Sequence, residues 1–471
     1  MKVQDKINYN EKINLLRKFK HELKRRRIVF DEERTNFKFD RLEQLSRITN
    51  TSEIKGYPCA GFSHKIQELF GIQVGIKINP LETKYKKTEH PSNLEYMILK
   101  RLTEDLIDTD ICPHIVYFLD NKKVSNRSRA LKFISNSLKQ LERDDIIKNY
   151  CNVLFSEFVE GGCLNKWIKN CYGEDSESSS LSMESITSEE WKYITFSLLY
   201  TLYILQTRYK IIHNDVHYGN ILIDNTIKAE GHIVYEITID ETDYKFYFKN
   251  FGFIPKIWDF EFAMCYDSKY TELYPNKFIM DDKKVIDKTD ILKISEDSKY
   301  YESYKTKRDN SSFSSSDILC TPVNYNEHYD VHYFLTSLLD LYISDELFSW
   351  ITNLFPKELI PETTSSSYTQ SYSSSTSCID LDTITDTFTD SEITEIDTDT
   401  ETTETYTESS SSTGEFSESD FLYKGRMING VEKLFRLPKT KDLLLNQFFS
   451  EFLNKPEDFD ENKCLFFKFK N

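Results

Sequence analysis

The chain has 471 residues, of which 39% are apolar, 14% aromatic and 29% charged. This length is enough for one large domain or for two to three domains of ordinary size. No run of residues approaches the ~18 to 20 apolar positions that a bilayer-spanning helix needs, and the first residues lack the apolar stretch of a signal peptide. The sequence therefore favours an intracellular protein that does not contact a membrane.

The nine cysteines are scattered and include no CxxC pair. This pattern argues against a disulfide framework and against a zinc site built from cysteines, and it indicates a reducing compartment.

The formal net charge of −17 has a local origin. Residues 361–420 contain 15 acidic and no basic residues, and 31 of these 60 residues are Ser or Thr. The rest of the chain is close to neutral, so the net charge predicts no class of partner. Because this segment buries too little apolar surface to offset its ordering entropy, we predict a disordered acidic insertion over residues 356–420.

The first predicted element is a basic helix over residues 10–27, which ends in the run from Lys24 to Arg27. Such a run is a nuclear address or a nucleic-acid contact in some proteins. It is more often a solvated helix face, and we therefore do not expect a nucleic-acid partner.

The next elements are mainly strands. Runs of β-branched and aromatic residues predict strands over residues 74–78, 114–119 and 153–155. Apolar residues at helical spacing predict a helix over residues 92–102.

After Gly162 the pattern becomes mostly helical. Thr187 and Glu190 have the spacing of a capping box, and a later helix begins near Thr440. Strand-like runs between Asn220 and Asp259 predict a hairpin. Strands first and helices later indicate an α+β fold with two unequal lobes and a cleft between them.

The segment IIHNDVHYGNIL at residues 211–222 carries the most chemical information. It contains Asp215 and, five residues later, Asn220; a second acid, Asp259, follows an apolar segment downstream. Phosphoryl transfer needs such a set. One carboxylate orients or deprotonates the attacking hydroxyl, while an amide oxygen and another carboxylate hold magnesium on the phosphates.

Around these residues the chain resembles the protein kinase superfamily. The segment HNDVHYGN is similar to the catalytic-loop pattern H-R-D-x-x-x-x-N, and Asp259-Phe260-Glu261 is similar to D-F-G. Val74-Gly75-Ile76-Lys77 resembles V-A-I-K, and Glu95 stands where the family places the acid that pairs with this lysine. SEFVEGG at residues 156–162 looks like the hinge between lobes, and YDVHYF at residues 329–334 resembles the helix that anchors the catalytic loop.

These six motifs follow the family order over about residues 50–345, and the overall character is most similar to the divergent serine/threonine kinases of giant DNA viruses. The resemblance implies a bilobal protein-kinase-like fold, with a small β-rich N-lobe, a larger helical C-lobe and disordered insertions. The implied divisions are a basic helical extension (1–49), the N-lobe (50–158), the C-lobe (159–355), the acidic insertion (356–420) and a C-terminal helical part of the C-lobe (421–471).

The resemblance also implies an activity, the transfer of the γ-phosphoryl group of Mg-ATP to Ser or Thr hydroxyls of a protein substrate. Lys77, held by Glu95, is expected to position the α and β phosphates, and Asp215 to orient the acceptor oxygen. Asn220 and Asp259 are the expected magnesium ligands. The residues expected to contact ATP further are Gly56, Gly61, Glu157, Phe158 and His217. The tract over 361–420 is a candidate for autophosphorylation.

Three departures from the family pattern leave other functions open. In the candidate glycine-rich loop from Gly56 to Gly61, Pro58 replaces the middle glycine and offers no N–H to a phosphate. His217 replaces a lysine and is common in aminoglycoside and choline kinases, which favours a small-molecule phosphotransferase. Glu261 replaces the glycine of D-F-G and, with the altered loop, favours a catalytically weak pseudokinase scaffold.

Structural interpretations of the same residues also stay open. A surface position on a strand is the less favoured alternative for Lys77, and a capping box with Ser92 is the less favoured alternative for Glu95. His217 is explained either by a contact with the γ-phosphate or by a hydrogen bond that orders its loop. Gly56 and Gly61 are as well explained by turns as by phosphate contacts.

Overall fold

The structure is a computed structural model, and it describes the chain in separate stretches. The described residues are 6–25, 55–58, 73–82, 91–125, 147–172, 186–267, 269, 277–281, 284–287, 325–361, 422–423, 426–427 and 435–470. The predicted acidic insertion beyond residue 361, Gly61, Arg26 and Arg27 lie outside these ranges.

The described part of the chain contains both helices and strands. The helices are α1 (Tyr9–Arg25), α2 (Pro91–Leu102), α3 (Leu164–Tyr172), α4 (Ser188–Ile204), α5 (Tyr329–Leu338), α6 (Asp345–Leu354) and α7 (Thr440–Leu444). The first strands are β1 (Lys55–Pro58), β2 (Gln73–Glu82), β3 (Phe118–Ser125), β4 (Ile147–Glu157), β5 (Ile211–Ile212), β6 (Ile221–Asp224), β7 (His232–Ile239) and β8 (Thr242–Lys249). The later strands are β9 (Ile254–Ile257), β10 (Met264–Cys265), β11 (Lys277–Asp281), β12 (Lys284–Asp287), β13 (Leu422–Tyr423), β14 (Arg426–Met427) and β15 (Leu465–Phe469). This content confirms the α+β class.

The first four strands form one antiparallel sheet in the order β1-β2-β4-β3. In its register Lys77 of β2 lies opposite Leu154 of β4, and Gly56 of β1 lies opposite Gly75. Helix α2 packs against β3 and β4. The sheet and the helix together place the side chain of Lys77 in a buried position beside α2.

A second sheet has the order β15-β7-β8, with β15 parallel to β7 and β8 antiparallel to it. Strands β7 and β8 are the predicted hairpin between Asn220 and Asp259. Helix α4 packs on this sheet through Phe196, whose ring centroid lies 4.6 Å from that of Phe246 and 4.8 Å from that of Phe248. The helix begins at the predicted capping box, because Thr187 and Glu190 bond each other's backbone N–H groups.

Helix α1 is part of the hydrophobic core. Its residues Tyr9, Ile13, Leu16 and Phe19 recur at helical spacing and are buried. Of its basic residues, Lys18 is exposed, whereas Lys12 and Lys20 are buried with the apolar face.

Two sequence predictions differ from the structure. The strand predicted over 114–119 begins only at Phe118, because the backbone at His114 and Val116 bonds to Ile257 instead of extending β3. The helix predicted from Thr440 ends at Leu444, and a separate short 3₁₀ segment covers Gln447–Leu453. Asn446 starts this segment, since its side-chain oxygen accepts a hydrogen bond from the N–H of Phe448.

Within the described ranges, no helix combines the length and the apolar character that a membrane crossing requires.

Candidate active site

Lys77 forms the centre of a buried group of charges. Its Nζ donates to Glu95 Oε1 at 2.8 Å and to Asp259 Oδ1 at 2.7 Å, and it lies 3.5 Å from Glu261 Oε2. The structure thus brings together the lysine of β2, the glutamate of α2 and two acids that follow β9. Lys77 and Asp259 are 182 residues apart in the sequence.

The carboxylate of Glu95 contacts Lys77 and Asn79, whose Nδ2 donates to Glu95 Oε2 at 3.4 Å. Ser92 lies at the start of the same helix, and its Oγ accepts a hydrogen bond from Asn152 Nδ2 at 2.8 Å. The side chain of Glu95 therefore points toward the ammonium group of Lys77 on β2.

The pKa values of this group are set by burial and by the charges that lie in contact with one another. Burial lowers the pKa of Lys77, but the charges of Asp259, Glu95 and Glu261 outweigh burial and raise it. Burial also raises the pKa of Asp259, and the ammonium of Lys77 outweighs that effect and lowers it. Lys77 is thus a firmly protonated cation, and Asp259 a firmly ionised carboxylate.

The loop between β5 and β6 is fixed by hydrogen bonds to α5. Asp330 at the start of α5 accepts hydrogen bonds from the backbone N–H of His213 at 2.6 Å and of Asn214 at 2.8 Å. Asn214 has a positive φ of 67°, a conformation that asparagine tolerates better than most residues. These two bonds fix the backbone just before Asp215.

The pairing of β6 with β9 explains why distant acids meet. Ile221 lies opposite Ile257, so Asn220 before β6 and Trp258 after β9 are neighbours. The N–H of Trp258 donates to the carbonyl of Asn220 at 2.9 Å, and His213 Nε2 donates to the carbonyl of Trp258 at 3.0 Å. Asp259 follows directly.

Asp215 and Asn220 are bonded to each other within the loop. Asn220 Nδ2 donates to Asp215 Oδ2 at 2.8 Å and to the Asp215 carbonyl at 3.0 Å. The other carboxylate oxygen, Asp215 Oδ1, accepts a hydrogen bond from the guanidinium of Arg426 on β14. The amide oxygen of Asn220 is left without a hydrogen bond among the described residues.

His217 orders its own loop. Its Nδ1 accepts a hydrogen bond from the N–H of Gly219 at 3.1 Å, and its Nε2 lies 3.9 Å from Asp215 Oδ2. A Cβ on Gly219 would come within 2.6 Å of the imidazole, so only glycine allows this approach. Burial lowers the pKa of His217, which favours a neutral imidazole.

Glu157 lies at the end of β4, and its side chain is part of a second buried charge network. Its Oε1 accepts from Lys256 Nζ at 2.6 Å and from the N–H of Tyr117 at 2.8 Å. Lys12 of α1 contacts the other oxygen of Glu157 at 3.5 Å and Asp224 at 2.6 Å. Through its contact with Lys12, the side chain of Glu157 thus links α1 to β4. Phe158, which follows β4, is half-buried.

Of the two candidate phosphate-binding glycines, Gly56 lies in β1, where it pairs with Gly75. Gly61 lies outside the described residues. Three contacts at the site were not predicted from the sequence: those of Arg426, Lys12 and Glu261. In the sequence Glu261 stands out only as a departure from the D-F-G pattern, and nothing in the local sequence distinguishes Arg426 or Lys12.

The side chains present fit a divalent cation such as magnesium. Glu95, Asp259 and Glu261 offer carboxylate oxygens within 4.8 Å of one another, and Lys77 Nζ lies within 3.5 Å of all three side chains. Carboxylate and amide oxygens are the ligands that magnesium prefers. The amide oxygen of Asn220 is a potential ligand of the same chemical type.

Comparison with known proteins shows what this chain is similar to. The chain is protein kinase-like, although no protein-family model matches it. Its similarity is of the mimivirus type: it is 30% identical over 193 residues to the protein named "Putative serine/threonine-protein kinase R400" of Acanthamoeba polyphaga mimivirus, an alignment that covers 38% of each chain. These names confirm the family resemblance seen in the sequence motifs.

Two further comparisons are more limited. A probable serine/threonine-protein kinase of Dictyostelium discoideum is 29% identical over 107 residues, which cover 23% of this chain and 8% of that protein. A crystal structure of the kinase domain of PF14_0431 overlaps with a TM-score of 0.24 at 17% identity, over 42% of this chain and 45% of that one. An overlap of that size is too slight to bear on the fold. The alignments cover less than half of the length of each of these three proteins.

Proposed function

We propose that the protein is an ATP-dependent protein kinase that phosphorylates Ser or Thr hydroxyls. The observation that carries this proposal is the contact of Lys77 with both Glu95 and Asp259, in a structure where the segment after β9 is bonded to the loop that holds Asp215 and Asn220. The proposal includes a bilobal arrangement with the divisions expected from the sequence, the N-lobe over 50–158 and the C-lobe over 159–355.

The proposed role of Asp215 is to accept the proton of the acceptor hydroxyl. The hydroxyl oxygen then forms a bond to the γ-phosphorus, the bond from that phosphorus to the β,γ-bridging oxygen breaks, and ADP leaves with the electron pair. Lys77, held by Glu95, binds the α and β phosphates through its fixed positive charge.

Asn220 and Asp259 are the proposed magnesium ligands, and Glu261 offers a further carboxylate oxygen within 4.8 Å of that of Asp259. A bound magnesium ion supplies positive charge that neutralises the phosphate oxygens. Asn220 has a second task, because its amide nitrogen holds Asp215 Oδ2. Adenine is proposed to meet the backbone at Glu157 and Phe158, and Gly56, Gly61 and His217 are proposed to lie near the phosphates.

The proposal is tested by transfer of labelled phosphate from γ-labelled ATP to an acidic casein-type protein in the presence of magnesium. Asp215→Asn keeps the size of the side chain and removes the proton acceptor. We expect this variant to lose about 10²- to 10⁴-fold in kcat, the usual contribution of a general base. Asp345→Asn on the exposed start of α6 is the matched control and should retain wild-type activity. Equal rates for wild type and Asp215→Asn contradict the proposal.

A second candidate function is a small-molecule phosphotransferase, favoured by histidine rather than lysine two residues after Asp215. The same assay with choline and aminoglycosides in place of protein separates the two functions. Transfer to these alcohols alone supports the second candidate.

A third candidate, a pseudokinase scaffold, is favoured by Glu261 and by Pro58 in the glycine-rich loop. A thermal-shift measurement with Mg-ATP on wild type and on Asp259→Ala tests for nucleotide binding. No shift for the wild type supports the scaffold, whereas a shift that Asp259→Ala loses supports the kinase.

The tract over 361–420 is a proposed site of autophosphorylation, since 31 of its residues are Ser or Thr. Mass spectrometry after incubation with Mg-ATP should find phosphate there. Phosphate confined to other segments removes this part of the proposal.

A further inference from the structure

The side chain of Arg426 lies on the carboxylate that the proposed mechanism uses. Arg426 comes from the β13–β14 hairpin, 211 residues after Asp215, and its NH2 group donates to Asp215 Oδ1. Asn220 Nδ2 already holds Asp215 Oδ2 at 2.8 Å. Each oxygen of Asp215 therefore has a donor before any acceptor arrives.

The guanidinium is held in this position by packing. Its central carbon lies 4.6 Å from the ring centroid of Tyr333, a distance that suits a cation–π contact. Tyr333 belongs to α5, the same helix whose Asp330 fixes the loop before Asp215. The neighbouring residue Met427 is buried and anchors the hairpin. The side chains of Arg426 and Asp215 are only 16% and 11% exposed, so this is no surface ion pair.

The charges around Asp215 make Arg426 a selective group. Within the described ranges, Lys77 is enclosed by three carboxylates. Burial lowers the pKa of His217, and the charge of Arg426 lowers it further. Among the described residues, the guanidinium of Arg426 is therefore the cation bonded to Asp215 that an approaching acceptor meets.

We infer that Arg426 selects acceptors that carry a carboxylate close to the hydroxyl, so that the substrate class is an acidic Ser/Thr segment of a protein. This inference rests on the proposed kinase function. A carboxylate of the acceptor gives the guanidinium a new charge-assisted, bidentate partner. Asp215 Oδ1 is then released to accept the hydroxyl proton. A neutral acceptor offers no such exchange, and a basic one is repelled.

The chain itself contains a segment of this chemistry. Residues 361–420 combine 31 Ser and Thr with 15 acidic and no basic residues, and they directly precede the hairpin that carries Arg426. The proposed autophosphorylation of this tract and the proposed selectivity of Arg426 therefore involve the same kind of acceptor, a Ser or Thr hydroxyl flanked by carboxylates.

The test compares three synthetic peptides that share one Ser/Thr acceptor and differ only in flanking Glu, Gln or Lys residues. With the full chain and Mg-ATP, we expect kcat/KM to fall in that order, with the Glu peptide at least about tenfold above the Gln peptide, as one charge-assisted hydrogen bond predicts. Raising the salt concentration should reduce this ratio, because it screens the charges.

Arg426→Gln should bring the Glu-to-Gln ratio close to one, and Arg426→Lys should retain part of it. Arg436→Gln, an exposed arginine of the same C-terminal segment, is the matched control and should keep the wild-type ratio. The inference is overturned if the wild type uses the Glu and Gln peptides equally, or if Arg426→Gln lowers all three rates in parallel. Failure of the proposed kinase function looks different. In that case the wild type transfers phosphate neither to any of the three peptides nor to a protein substrate.

Discussion

Asp259 has a positive φ of 64°, a backbone conformation that a residue with a Cβ adopts at some cost. The surrounding contacts hold it there. Its carboxylate is bonded to Lys77, and the carbonyl of Trp258 before it accepts a hydrogen bond from His213. Left-handed backbone conformations of residues other than glycine cluster at functional sites.

Three buried histidines show how burial sets protonation in this molecule. Burial lowers the pKa of His114 to about 3 and those of His213 and His332 to about 4. His114 Nδ1 donates to the carbonyl of Pro255 at 2.7 Å, and its Nε2 accepts from the hydroxyl of Tyr235 at 2.8 Å. This arrangement requires the neutral ring.

The low pKa of His114 predicts a pH-dependent stability. Between pH 6.5 and about 3 the unfolded chain binds a proton at this histidine that the folded chain does not bind, so the free energy of unfolding decreases as the pH falls through this range. Relative to His114→Asn, the wild type should lose about 2 to 3 kcal/mol between pH 7.5 and 4.5. Urea unfolding of both proteins at several pH values measures this difference, and parallel curves contradict it.

At the scale of elements, the pairing of β6 with β9 and the docking of α1 organise the site. The pairing places Asn220 beside Trp258 and hence near Asp259. Helix α1 contributes Lys12, which with Lys256 neutralises the buried acids Glu157 and Asp224. Burial raises the pKa of Asp224, but the two lysines outweigh burial and lower it.

Lys12→Met is therefore expected to destabilise the protein strongly, because Glu157 and Asp224 would share the single charge of Lys256. Removing one partner of a buried ion pair typically costs about 3 to 5 kcal/mol. Lys18→Met, on the exposed face of the same helix, is the control and should change stability little. Urea denaturation gives both values. Similar small losses for the two variants would show that α1 does not depend on this ion pair.

At the scale of the whole molecule, the excess negative charge and the hydrophobic core belong to different segments of the chain. The described residues contain the hydrophobic core, to which elements from α1 to β15 contribute. The excess negative charge belongs to residues 361–420. We propose that this tract adds nothing to the stability of the core, since a segment of Ser, Thr and acidic residues buries little apolar surface.

Replacing residues 364–418 with a short Gly/Ser linker should thus change the free energy of unfolding by no more than about 0.5 kcal/mol, as for surface changes in general. Truncation before β15 is the contrasting variant. It removes the buried side chains of Leu465, Phe467 and Phe469, each worth about 1.5 to 3 kcal/mol, and should unfold far more easily. Calorimetry on both variants measures their stability against unfolding and so tests whether the acidic tract contributes to the core. A large loss on removing the tract would contradict it.

The sequence by itself determined the α+β class, the capping box at Thr187, the β7–β8 hairpin and the resemblance of residues 213–220 to a catalytic loop. Each of these rests on local spacing or periodicity, which short-range backbone geometry controls. Only the tertiary structure decided that Lys77 bonds Asp259, that Lys12 supports Glu157 and that Arg426 covers Asp215. Those partners are 145 to 211 residues apart, and no local pattern encodes a contact that forms only when separate elements pack together.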